Sequence, residues 1–316
     1  LAQTPSFRVP ARLVIAPTSV TDSTGRFING LTASDFSLYD NDVAQKIYED
    51  ADFLPISVVV AVQTNLTVEA IQPRVRELGP LLGTLVVGEG GEAAILTFDR
   101  RAHVVQDFTS DLGRLTQTFR HIEFTGTDSH LIDAVLQATH LLKQRPLGRR
   151  RILLLISETR DQGSESKLRD AVSEAELNNI LIYSLNISRA HAARQVILPA
   201  YNGPAHTALS IDLLAAIKEI YSGAKGLVVE NPLSILTRYT GGEQYSFLKR
   251  SALENAVIKI GKEIHGQYLL SYTPKDADDT GFHSIRVTCD QPGVRVRSRP
   301  GYWAGAQESA AEPAAN

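Results

Sequence analysis

The residue types that usually carry chemistry are present in this chain, but their spacing matches no common catalytic arrangement. The eight histidines are scattered, with none in the H-E-x-x-H pattern that places two zinc ligands on one helix face. There is no G-x-S-x-G nucleophile elbow. Neither G-x-G-x-x-G nor a Walker A loop occurs, and Gly88-Glu89-Gly90-Gly91 has no helix after it to receive a phosphate. The turn carboxylates Asp99, Asp128 and Glu158 read as solvated loop residues rather than as an acid and base pair. Cys289 is the single cysteine, so no internal disulfide can form. Alternation puts Ile285, Val287 and Cys289 on one strand face, and a buried, inert thiol is expected there. Arg149-Arg150-Arg151 precedes an apolar run and is expected to be a solvated guard on a sticky strand. Asn65-Leu66-Thr67 and Asn186-Ile187-Ser188 match the glycosylation pattern by chance, since Ile187 ends a buried strand.

Composition narrows the class further. A 316-residue chain with 43% apolar residues can build one large core or two smaller ones. The net charge of −3 argues against nucleic acid, which needs a concentrated basic surface. No apolar run approaches the ~20 residues needed to span a bilayer. Leu1-Ala2-Gln3 reads as the remnant of a small-residue signal cleavage site, which implies a secreted or periplasmic setting.

The elements that would position any site fall into three textures. Residues 1–53 read as strands: Arg12 to Ile15, a turn at Asp22 to Gly25, then Phe36 to Tyr39 turning at Asp40-Asn41-Asp42 into a partner over Ala44 to Tyr48. Residues 54–266 alternate strand and helix. Ile56 to Val62, Arg151 to Ser157 and Ile180 to Ile187 are continuous apolar runs, as expected of strands buried on both faces, and Glu92 to Phe98 and His103 to Phe108 are further strands. Helical spacing links Ile71, Val75, Leu78 and Leu82, with a kink or break expected from Gly79-Pro80. It recurs at Leu131, Val135, Ala138 and Leu142; at Leu168, Val172 and Ala175, stopping at Asn178-Asn179; over Ile211 to Tyr221 and Leu233 to Tyr239; and at Leu253, Val257, Ile260 and Ile264. Residues 267–303 return to strands at Gln267 to Tyr272, His283 to Cys289 and Val294 to Ser298. Residues 304–316, rich in Ala, Glu and Pro, are expected to be disordered. The expected fold is therefore α/β, a doubly wound, mostly parallel sheet inserted in a β-sandwich formed by the N- and C-terminal strands.

In this order the elements resemble the von Willebrand factor A domain, and more closely the VWFA-related proteins abundant in acidobacteria. The resemblance rests on Gly30-Leu31-Thr32-Ala33-Ser34-Asp35-Phe36, Pro55-Ile56-Ser57-Val58-Val59-Val60 and Ala94-Ile95-Leu96-Thr97-Phe98. It continues through Tyr239-Thr240-Gly241-Gly242, Gln267-Tyr268-Leu269-Leu270-Ser271-Tyr272-Thr273-Pro274 and Arg299-Pro300-Gly301-Tyr302-Trp303.

That resemblance implies a ligand site on three loops at the carboxyl edge of the sheet. There the family holds a divalent ion with Asp-x-Ser-x-Ser, a Thr and a further Asp. In this chain Gln63 stands for the first Asp, Asn65 for the first Ser, and Thr67 keeps a hydroxyl. The second loop offers Thr127 or Ser129, and Glu158 replaces the last Asp. Of these positions Glu158 alone is charged, which disfavours a hard, oxygen-seeking cation such as Mg²⁺. The resemblance thus implies a non-enzymatic protein-binding or assembly module with a degenerate metal site and no resident cofactor. Two alternatives stay open: a metal-dependent adhesion module with an altered site (Thr67, Ser129 and Glu158 with Asp128 and Asp161), and a structural spacer without ligand. A long stretch from Ser188 to Ser210, carrying His191, Arg194, Tyr201 and His206, is expected to leave the same edge and join the partner surface.

Overall fold

The computed structural model describes residues 13–49, 54–83, 88, 90–146, 148–187, 231–246, 250–275 and 281–304. The chain divides into two units, residues 53–265 and residues 1–52 with 266–316.

The terminal unit begins with β1 (Val14–Thr21), β2 (Phe36–Asp40), β3 (Val43–Gln45) and β4 (Tyr48–Glu49). The second unit opens with β5 (Ile56–Gln63), followed by a 3-10 turn at Leu66–Ile71, α1 (Gln72–Arg76), α2 (Leu78–Leu82), β6 (Glu92–Phe98) and β7 (Ala102–Thr109). It continues with α3 (Leu112–Arg120), α4 (Leu131–Lys143), β8 (Arg150–Ser157), α5 (Leu168–Leu177) and β9 (Ile180–Asn186). Then come α6 (Pro232–Thr240), β10 (Gln244–Ser246) and α7 (Arg250–Gly266). Finally β11 (Tyr268–Tyr272), β12 (Gly281–Cys289), β13 (Arg295–Ser298) and β14 (Gly301–Ala304) return to the terminal unit.

The six-stranded sheet has the order β10-β9-β8-β5-β6-β7, parallel except for β7. Every residue of β5 is buried, because β5 is paired on both edges and covered on both faces. Ile56, Val58, Val60 and Val62 join a core with α1, α2, α3 and α7, while α4, α5 and α6 pack on the sheet from elsewhere along β5, β8 and β9. Each large side chain so buried stabilises by ~1.5–3 kcal/mol.

Two details differ from the sequence expectation for a physical reason. The helix expected to break at Gly79-Pro80 breaks earlier, at Glu77, between α1 and α2. Pro80 has no N–H to donate back to the Arg76 carbonyl, so the discontinuity falls one turn upstream and the proline sits in the first turn of α2. The arginine run is not solvated. Arg149 donates to Ser57 Oγ (2.7 Å) and Ile56 O (3.0 Å), Arg150 to Ile264 O, and Arg151 to Arg145 O (2.8 Å). These guanidinium groups cap carbonyls left open at the amino edge of the sheet and around it.

In the terminal unit, sheets β13-β1-β11-β4 and β14-β12-β2-β3 share one core around Val14, Ala16, Leu38, Leu270, Tyr272, Val287 and Tyr302. Asn41 and Asp42 turn the β2–β3 hairpin with φ of 46° and 63°, the left-handed pair that suits a tight hairpin. The hairpin partner expected over Ala44 to Tyr48 is divided. β3 stays with β2, whereas Tyr48 and Glu49 pair with β11 in the other sheet. Ile285 and Val287 are buried, but Cys289, the last residue of β12, is only half-buried.

The two sheets are pinned by one buried carboxylate. Asp40 Oδ2 accepts from Tyr272 Oη (2.9 Å) in one sheet and Tyr302 Oη (2.8 Å) in its own, and Asp40 Oδ1 accepts from His283 Nδ1 (2.8 Å). Burial, then the neighbouring Tyr302 and Asp40, push the Tyr272 hydroxyl far above the usual phenol range, so it remains a donor. Replacing Asp40 by Ala strands three buried donors. The D40A variant is expected to lose ~3–5 kcal/mol from the terminal unit, read as a shifted urea transition followed by a probe in that unit.

Candidate functional site

Three loops meet at the carboxyl ends of β5 and β8 and before α4. The first leaves β5 at Gln63 and is drawn across the end of β6. Thr64 N and Oγ1 both donate to Phe98 O (2.8 and 3.2 Å), and Leu66 N donates to Gly126 O (3.1 Å) in the second loop. Gly126 has φ of 89°, and a Cβ there would lie 2.3 Å from Asp99 Oδ2, so this crossing requires glycine.

Gln63 is fully buried and works as a two-ended bracket. Its Oε1 accepts from Glu158 N (2.8 Å) and its Nε2 donates to Asn65 Oδ1 (2.9 Å). Thr67 Oγ1 donates to that same Asn65 Oδ1 (2.9 Å), and Asn65 Nδ2 reaches Thr127 O (3.5 Å). A carbonyl oxygen has two lone pairs, so Asn65 Oδ1 is saturated by its neighbours. Of the two second-loop residues, Ser129 is buried and forms an isolated bridge with Gln162, whereas the Thr127 side chain is exposed. Ser129 Oγ and Ser157 Oγ are buried with no hydrogen-bond partner among the described residues.

Around this floor stand Glu158 and Asp128, both half-buried, and Leu66, 54% exposed. Asp161 is differently employed. Its Oδ1 accepts from Ile132 N (3.1 Å) and Ser164 Oγ (2.5 Å), which caps the start of α4. Among the described residues no group of three or more His, Cys, Asp or Glu is gathered as a metal cluster. His191, Arg194, Tyr201 and His206, and the whole stretch from Ser188 to Ser210, lie outside the described residues.

Sequence reasoning missed the partner of that cap. Asp133, in the first turn of α4, accepts from Glu165 N (3.1 Å) and Ser166 N (3.0 Å), with His130 Nδ1 at 3.5 Å. Asp161 therefore caps α4 while α4 returns a carboxylate to the third loop. The signal was an acidic residue in a helix's first turn. Burial alone would raise the Asp133 pKa. The Ser166 and Glu165 hydrogen bonds and His130 outweigh it and hold the carboxyl below the usual aspartate range.

A depressed folded-state pKa means the clamp contributes fully above the ordinary aspartate value and fades as pH falls through the folded value. Asp133→Asn is accordingly expected to be less stable than the parent at neutral pH, with the gap closing below about pH 4. Urea midpoints measured across that range check it. An unchanged gap at low pH would remove the carboxylate from the clamp.

No family model matches the chain, and no curated protein matches it. Solved structures do resemble it. A von Willebrand factor type A protein from Catenulispora acidiphila superposes with a TM-score of 0.49 at 9% identity, covering 94% of this chain and 64% of that one. An aerotolerance-related membrane protein from Bacteroides fragilis gives a TM-score of 0.44 at 13% identity, covering 66% of this chain and 99% of that one. Proximal thread matrix protein 1 from the mussel byssus, solved with zinc in its MIDAS motif, gives 0.46 at 10% identity, covering 68% of this chain and 46% of that one. At these identities no residue role transfers from them.

Proposed function

We propose that this chain is a von Willebrand factor A-type recognition module that binds a protein partner without catalysis. In this reading the contact surface is the rim of Thr67, Thr127 and the half-buried Glu158 over a buried floor of Gln63, Asn65 and Ser129, and no metal bridges the two proteins. The observation that carries it is the closed amide bracket. Asn65 Oδ1 already accepts two hydrogen bonds, and Gln63 turns an N–H₂ donor toward it where a metal site would need a second anionic oxygen. A divalent ion requires carboxylates to offset its dehydration, and Glu158 is the one charged group among these six. This donor set does not fit Mg²⁺.

What the rim offers a protein is typical of a recognition surface. It has a pre-organised polar floor, an exposed apolar Leu66 and a Glu158 carboxylate that no described residue engages. We place the module in a secreted or periplasmic protein, in keeping with the family resemblance. No described helix is long and apolar enough to cross a membrane.

Calorimetric titration of chelator-stripped protein with Mg²⁺, Mn²⁺ and Ca²⁺ tests the metal-free rim. No saturable heat is expected at millimolar ion. Saturable binding abolished by Glu158→Ala would replace this reading with an altered metal-dependent site. Restoring the acidic pattern with Q63D, N65S and E158D together is expected to create Mg²⁺ binding. Partner recognition itself is read by a photo-crosslinker at Leu66 with chelator present. Specific adducts lost on Glu158→Arg support the rim, adducts indifferent to that change move the contact away from Glu158, and no specific adduct argues for a spacer.

A further inference from the structure

A second concave surface lies beside the rim, and it is built differently. A groove of about 620 Å³ runs between β7, the edge strand of the six-stranded sheet, and α3. No described strand pairs with the outer side of β7.

The ladder between β6 and β7 explains the groove's shape. Leu96 pairs with Val104 and Ile95 with Gln106, which leaves Val105 as an extra residue. Successive side chains of a regular strand point to opposite faces. Here consecutive Val105 and Gln106 both line the groove, because the bulge re-aims one of them. Val104 and Val105 are 41% and 46% exposed, so the strand presents apolar surface without a cover.

Charge is ordered along the groove's length. The Asp99 turn joins the end of β6 to the start of β7, which puts Asp99 at one end, and Glu123 lines the same end beyond α3. β7 then runs back, and α3 starts after its far end, so Arg114 in the first turn of α3 lies at the opposite end. Arg114, Gln117 and His121 recur at helical spacing on the wall, spanning ~10 Å. Arg114 meets Asp111 only at 3.6 Å, with both side chains more than half exposed, a pairing that a ligand carboxylate can displace. Asp111 itself is committed to capping Gly113 N and Arg114 N.

We propose that this groove takes an extended peptide segment of a partner protein, laid along the free edge of β7. Its basic side chain meets Asp99 and Glu123, and an acidic side chain three residues away meets Arg114. The ~10 Å of wall from Arg114 to His121 has room for about three residues of extended chain at ~3.3 Å each. Main-chain pairing to an exposed edge supplies affinity, and the flanking pockets supply selectivity. Thr64 lies between the groove and the amide floor, but none of Gln63, Asn65, Thr67, Thr127, Ser129 and Glu158 lines the groove, so neither proposal depends on the other.

The test uses the full chain and fluorescein-labelled acetyl-Lys-Val-Thr-Asp-amide, with acetyl-Gln-Val-Thr-Asn-amide as the neutral control. Fluorescence anisotropy is expected to show saturable binding of the charged peptide, weakened about tenfold by Arg114→Glu or by Glu123→Lys (~1.4 kcal/mol), and little binding of the control. Both substitutions are on exposed side chains and leave the fold intact. Amide chemical shifts on peptide addition are expected to move over residues 102–106 and 114–121 and to leave Ser129 and Glu158 in place. No binding of the charged peptide at millimolar concentration, equal binding of both peptides, or indifference to both substitutions overturns the proposal. So does a concentration-dependent dimer abolished by Val105→Asp, which would give the edge to a second copy of the chain.

Discussion

Everything in the α/β unit is organised around β5. Its eight residues have no solvent face and both of its edges are hydrogen-bonded, to β6 and to β8. A strand of this kind cannot fold until helices cover it on both sides, and each covering helix must leave by a loop at one end of the sheet. Open α/β sheets take their ligands on the loops beyond the carboxyl ends of the strands, which for β5 begin after Gln63. The crowding that makes β5 a good core strand also buries Gln63 completely, so whatever stands there must be satisfied by its neighbours or be very costly.

That constraint accounts for the identity of the floor residues. A carboxylate at position 63, without a cation, would be a buried charge. An amide of nearly the same shape is neutral and carries both an acceptor and a donor. Gln63 uses them in opposite directions, accepting from the third loop and donating to the first. Asn65 and Thr67 continue the pattern. The loops are thereby fixed to one another by hydrogen bonds between neutral groups, each contributing ~0.5–1.5 kcal/mol. The outer clamp of Asp161 and Asp133 does with helix termini what the inner bracket does with amides.

The central strands were legible in the sequence because short, continuous apolar runs suit strands buried on both faces, and β5, β8 and β9 lie where those runs lie. The helix α3 was not legible. It buries only Leu115 and Phe119 and leaves Leu112 exposed among mostly polar residues, so its period is faint, and its one clear signal was Asp111 as N-cap. β14 was likewise hidden in a four-residue segment whose pairing to β12 depends on distant residues. The split of the β2 hairpin had no local sign, because the same residues can pair with either sheet. For the site, residue types at three loops were readable through a family resemblance, but their hydrogen-bond directions were not. Whether Thr127 or Ser129 faces inward was undecidable in sequence, since each register satisfies the same spacing. In the structure Ser129 is buried and bridged to Gln162, and the Thr127 side chain is exposed.

β7 illustrates why function-bearing surface gathers where a fold is least regular. Among the described strands it is the one antiparallel member of its sheet, and none of them pairs with its outer side. A regular exposed edge would invite indiscriminate pairing with other chains, and a bulge is one of the devices that limits this. The bulge at Val105 limits the length of straight edge to the residues before it. The same irregularity turns two neighbouring side chains toward α3 and opens the groove there. Restricting non-specific pairing and shaping a selective groove are thus one structural event. Because α3 is held by its Asp111 cap and by Leu115 and Phe119 in the core, its polar face is free to vary without cost to the fold. A surface of that kind can acquire specificity for a partner while the strands behind it stay unchanged.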